Sequence, residues 1–142
     1  MNKDLIKITQ DKERAKSLFD TALIRLDAID VLSKADKKKF LSKIVEEHYE
    51  SILEFITAVI CLDGFKVRED ASGSHLAVID YLRDNYKQFK EHEITMIDSL
   101  RRQRIGIKYY GKRVKEDYLD SNIKDILIIR EKLIKIVKKK LA

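Results

Sequence analysis

Residues 97–115, IDSLRRQRIGIKYYGKRVK, gather Arg101, Arg102, Arg104, Lys108, Lys112, Arg113 and Lys115, with no acid between Ser99 and Lys115. Taken as a helix at about 100° per residue, the stretch shows Ile94, Ile97, Leu100 and Ile107 on one apolar face. Arg104 lies a heptad after Ile97 and so points within about 20° of it. A guanidinium is always charged and carries five donors. Unpaired in an apolar stripe it is costly. Arg104 therefore needs a carboxylate, a phosphate or an interface groove, unless it snorkels at the edge of the stripe. Arg101, Arg104 and Lys108 recur at spacings of three and four and share one side, and Tyr109, Tyr110 and Tyr118 add flat rings nearby. A basic face with aromatics is one footprint of RNA binding. It is equally the look of a solvated helix beside a core tyrosine.

Other chemistries find less support. His48, His75 and His92 are far apart, and none has a second His or Cys at zinc-ligand spacing. The run Glu46-Glu47-His48 with Glu50 lacks the repeated Glu-x-x-His of di-iron bundles. No metal and no cofactor is expected. His48 reads as a half-exposed helix residue, His92 as part of a solvated face, and His75 as the opening of a helix, where it is the more interesting of the three. Neither GxxxxGK[ST] nor GxGxxG occurs. Cys61, the single cysteine, sits in an apolar run and reads as a small core residue.

These side chains must be positioned by helices. The 142 residues include no Pro and only 4 Gly, so little interrupts a helical pattern. Apolar residues make up 44% and charged ones 38%, and the net charge is +6, which permits anionic partners without requiring them. The opening residues lack a signal-peptide core, and no apolar run reaches the roughly 20 residues of a membrane span. The expectation is a cytoplasmic protein with no membrane partner. Periodicity predicts a first helix capped by Thr9 or Asp11 and running to Leu32. A second follows over 36–62, capped by Ser33 or Asp36 and ended by Gly64. Residues 1–8 read as a lead-in, and 65–73 as a polar, irregular break. A shorter helix over 75–88, capped by Ser72 or Ser74, points Leu76, Ile79, Leu82 and Tyr86 inward. The fourth helix spans 91–110 with Gly111 as its C-cap. Gly106 inside it admits another backbone or a bend. The last spans 114–140, and its lysine run at 138–140 reads as a solvated end. The fold class is all-α: an up-and-down bundle of four long helices plus one shorter helix, forming a single domain over 1–142. A two-fold homodimer is the commonest partner arrangement for such a bundle.

At the residues RIGIKYYG, from Arg104 to Gly111, followed by Val114 and a long Ile/Leu/Lys helix, the chain resembles the motif region of HEPN domains (higher eukaryote and prokaryote nucleotide-binding domains). Upstream, a helix ending near Gly64 and Phe65, a polar loop, and the helix SHLAVIDYL opened by Ser74 and His75 resemble the same family. The resemblance covers roughly residues 10–140. It implies a dimer whose motif lines a cleft between protomers. Active members are metal-independent ribonucleases with an Arg-x4-His motif. Their Arg contacts phosphate and their His assists attack by the ribose 2′-hydroxyl. Many are toxins paired with a small nucleotidyltransferase antitoxin; others bind RNA without cutting it.

Here Arg104 takes the Arg position, Ile105 stands where Asn is common, and Tyr109 takes the His position. A phenol is a poor general base near pH 7, where an imidazole exchanges protons readily. The Tyr that is adenylylated in the paired toxins corresponds to Gly111. The resemblance thus implies RNA or nucleotide binding, with Arg104 and Tyr109 at the catalytic positions. Arg101, Arg104, Lys108, Tyr110, Lys112, Arg113 and His75 form the anion-binding set. Catalysis is weak or lost, unless His75 replaces the missing imidazole and the chain is a metal-independent endoribonuclease. A third reading is a structural interaction subunit with Arg104 paired to a partner's acid.

Overall fold

In the computed structural model, residues 4–68 and 74–142 are described. They form five helices and one small sheet: β1 (Leu5–Lys7), α1 (Lys12–Asp36), α2 (Leu41–Leu62), β2 (Phe65–Val67), α3 (Ser74–Asn85), α4 (Glu91–Tyr110) and α5 (Tyr118–Leu141). The second helix is the axis of the molecule and packs against each of the other four. Its sequence explains why. Ile44, Val45, Tyr49, Ile52, Phe55, Ile56, Val59 and Ile60 are all fully buried, and from Ala58 to Cys61 every side of the helix is covered. Such a segment is stable only when neighbours surround it. Cys61 lies in this core.

The first helix is capped by Asp11, whose carboxylate accepts the Arg14 N–H at 3.0 Å. Ala15, Phe19, Ala22 and Ile29 line its buried stripe. It continues past the expected end at Leu32 to Asp36, because nothing between these residues stops a helix. Asp36 and Ser33 do not cap α2. Asp36 instead accepts the Lys39 N–H at 3.0 Å in a turn, and α2 begins at Leu41.

The sheet is an addition to the expected fold. Leu5, Ile6 and Lys7 pair antiparallel with Val67, Lys66 and Phe65. Three-residue strands are too short to show an alternating pattern, and about sixty residues separate their sequences. Gly64, at φ 87°, turns the chain from α2 into β2. A Cβ there would meet the Ile8 carbonyl oxygen at 3.3 Å, so the position is tight as well as left-handed. Ser72 and the side chain of Ser74, the expected caps of α3, lie outside the described residues. On α3 itself Leu76 faces solvent, contrary to expectation, while Ala77, Val78, Ile79, Tyr81 and Leu82 are buried.

The fourth helix keeps its expected bounds, with Gly111 at φ 61° closing it. Gly106 meets no foreign backbone. A Cβ there would touch the Lys112 side chain at 3.5 Å, and its carbonyl accepts the Lys112 N–H at 3.0 Å. The fifth helix starts four residues later than expected. Val114 is buried before it in non-helical chain, its N–H donated to Ser42 Oγ at 3.2 Å.

Candidate functional site

The chemistry of α4 depends on what its neighbours offer. Ile94, Ile97 and Leu100 are buried, and Arg104 extends their stripe to its edge, with 16% of its side chain exposed. Its Nε meets Glu50 Oε1 of α2 at 2.5 Å, and that carboxylate is 22% exposed. The half-buried guanidinium is therefore matched by an acid of its own chain. Asp98, just ahead of the acid-free run, takes two more cations: Arg101 Nε at 2.9 Å and Arg102 Nε at 3.0 Å. Among the described residues, Lys108, Lys112, Arg113 and Lys115 form no ion pair and are exposed.

His75, in the first turn of α3, joins the Arg104 neighbourhood. Its Nδ1 lies 2.9 Å from the hydroxyl of Tyr49, which is fully buried on α2. Burial, then the charge of Glu50, pushes the Tyr49 phenol well above its ordinary range, so it stays protonated. Burial also pulls the His75 pKa down, and the positive charge of Arg104 adds to this. The imidazole is neutral near pH 7. Consecutive residues of α2 thus reach two different helices: Tyr49 holds His75 on α3, and Glu50 holds Arg104 on α4. A neutral imidazole beside a guanidinium can exchange a proton next to a bound phosphate, although Glu50 competes with that phosphate for the arginine.

Tyr109 and Tyr110 stand elsewhere. They are 65% and 72% exposed at the end of α4. Tyr109 is turned roughly 140° round the helix from Arg104. Lys108 lies over the Tyr109 ring at 5.7 Å and Lys112 over the Tyr110 ring at 5.9 Å. Arg113 lines an adjoining open cleft of about 450 Å³ with Lys38, Lys39 and Ser42. Tyr118 does not join this group. It is half-buried, with its hydroxyl 2.7 Å from Ser99 Oγ. The expected anion-binding residues thus divide into two sets: Arg101, Arg104 and His75 in a paired cluster over α2, and Tyr110, Lys112 and Arg113 at the open end, with Lys108 between them.

Several polar groups escaped the sequence reading. Arg25 of α1 bridges Glu54 at 2.7 Å and Glu47 at 3.2 Å. Glu47, Glu50 and Glu54 recur at three and four along α2, the one signal that could have exposed this ridge. Asp63 accepts hydroxyls from Tyr81 and Tyr86, each at 2.7 Å, and pairs with Lys140 at 2.7 Å. The terminal lysine run is thus tied down in part. Lys132 meets the buried Glu93 at 2.8 Å. His48 is not half-exposed but 2% exposed, because α1 and α5 close over its side of α2.

No family model, no curated protein and no solved structure matches this chain. Among the described residues no cluster of three or more His, Cys, Asp or Glu side chains could hold a metal ion. No helix among them is long and apolar enough to cross a membrane.

Proposed function

We propose that the chain is a HEPN-like, up-and-down helical domain that works as a cytoplasmic homodimer and binds single-stranded RNA, with its catalysis weak or lost. The observation that carries this reading is the exposure of Tyr109 and Tyr110, each with a lysine over its ring. Two large rings left in water beside unpaired cations suit unstacked bases and their phosphates. Tyr109 then acts by stacking and not as a proton acceptor, and Arg104, held by Glu50, orients the helix beneath the binding surface.

The test is the affinity of a labelled 12-nucleotide RNA at fixed salt. Replacing both Tyr109 and Tyr110 by Ala should weaken binding by at least tenfold, since each base–aromatic stack is worth about 1–3 kcal/mol. Unchanged affinity, or no affinity in the parent protein, removes the reading. Retained dimerisation without RNA binding would point instead to the structural subunit.

The His75–Arg104 neighbourhood favours a second reading, a metal-independent endoribonuclease paired with a small nucleotidyltransferase antitoxin. Such a protein would cut RNA in EDTA, and Arg104→Ala and His75→Ala proteins would not. Intact RNA with all three ends that reading.

A further inference from the structure

Facing the opposite side of α2 are two polar groups that no hydrogen bond among the described residues satisfies. A cavity of about 260 Å³ opens between α1, α2 and α5, with apolar walls from Ile29, Ile123 and Leu127. His48 of α2 and Arg130 of α5 also line it. His48 is 2% exposed, and its Nδ1 is buried with no hydrogen-bond partner among the described residues. Arg130 is half-buried and forms no ion pair among the described residues. At the mouth, Lys37 is neutralised by Asp120 at 2.6 Å, so it adds no free charge. Asp30 is exposed at the rim, where it senses Arg130 without pairing to it.

A buried nitrogen without a partner and a half-buried guanidinium whose nearest counter-charge, Asp30, does not contact it each disfavour the empty state. One occupant relieves both. It carries no more than a single negative charge, because Arg130 is the one lining cation without a contacting acid among the described residues and Asp30 at the rim repels further charge. It accepts at least two hydrogen bonds, and the rest of it is apolar, to cover the Ile and Leu walls. The space is below the roughly 300–1,000 Å³ of drug-sized sites, so the ligand is small. We propose that the cavity between α1, α2 and α5 binds a small monocarboxylate with an apolar body, its carboxylate held by Arg130 and by the Nδ1–H of His48. This site lies on the far side of α2 from Glu50 and does not depend on the RNA-binding reading.

The test uses the full chain with imidazole-labelled histidine, titrated at pH 7 and constant ionic strength with hexanoate, and in parallel with hexanol and inorganic phosphate. Hexanoate should saturate and shift the His48 Nδ1 resonance, with hexanol and phosphate each at least about tenfold weaker, the usual worth of a charge-assisted hydrogen bond. Arg130→Met should lose hexanoate binding by a similar factor, with Arg130→Lys intermediate. If Arg130→Met does not fold, Arg130→Lys alone decides, because it keeps the charge but not the fork-shaped pair of donors. The proposal is overturned by the absence of a saturable His48 response, by phosphate or hexanol binding as well as hexanoate, or by unaltered affinity in the folded Arg130 variants. Loss of the cavity into a self-association that grows with protein concentration would overturn it too.

Discussion

Glu50 and His48 are two residues apart on α2, and their side chains leave it roughly 200° apart. On the Glu50 side every buried charge has a counterpart. Glu50 holds Arg104, Glu47 and Glu54 share Arg25, and Lys43 reaches Glu47 at 3.4 Å. On the His48 side the imidazole nitrogen has no hydrogen-bond partner among the described residues, and the Arg130 guanidinium has only Asp30 nearby, without contact. Both sides are partly buried, so burial alone does not separate them. What separates them is the ridge of carboxylates at three and four along α2, which faces α1 and α4 but not α5. The contrast suggests two uses of polar groups in one small fold: matched sets that fix how helices pack, and an unmatched set that waits for an occupant.

The largest test of that contrast is acid titration. Burial holds the His48 pKa at about 4, against about 6.5 in an unfolded chain, with the charge of Arg130 adding to the depression. Between those values the unfolded state binds the extra proton. Stability should be full above about pH 6.5 and fall as the pH drops toward 4, by roughly 3 kcal/mol from this group. Urea unfolding at a series of pH values would show it, and a His48→Leu protein should lose that share of the slope. An identical slope in both proteins would mean that His48 is not held neutral by its surroundings.

The next largest effect is expected on the matched side. Glu50→Ala leaves Arg104 half-buried and uncompensated, and should cost about 2–3 kcal/mol, somewhat less than a fully buried pair because both groups keep some water contact. Arg130→Met removes a charge that contacts no acid among the described residues and should be close to neutral. If the two variants cost the same in urea unfolding, the distinction between the sides fails. The smallest expected effect belongs to the Tyr49–His75 contact. Tyr49→Phe keeps the packing and removes one hydrogen bond, which is worth about 1 kcal/mol. His75 should still titrate below 6.5, because burial is the main cause of its shift. An NMR titration that returned it to the ordinary value would instead make Tyr49 the main cause.

Much of the helical content was legible in the chain. The Asp11 cap of α1, the bounds of α4 and its Gly111 cap follow from spacing and residue type, and the structure contains each. The strand pair did not show, because three residues carry too little pattern and their partners are far apart. The end of α1 and the start of α2 are not legible in the chain, since Asp36 serves a turn as readily as a cap. Arg104 was legible as an anomaly that needed a counter-charge. The identity of the counter-charge was not, because Glu50 and Arg104 are 54 positions apart and meet only where α2 and α4 cross. His48 was misread for the same reason: its own helix does not bury it, but the two helices that lie across it do.

Composition and periodicity alone determined that this chain is helical, which residues of α4 turn inward, and that a cation falls on an apolar stripe. Those are local properties, set by the repeat of about 3.6 residues and by side-chain chemistry. Tertiary structure alone decided which charges meet, which nitrogen is sealed away from water, and which tyrosines remain open to it. Such pairings arise from contacts between helices distant in sequence, and no local repeat encodes them.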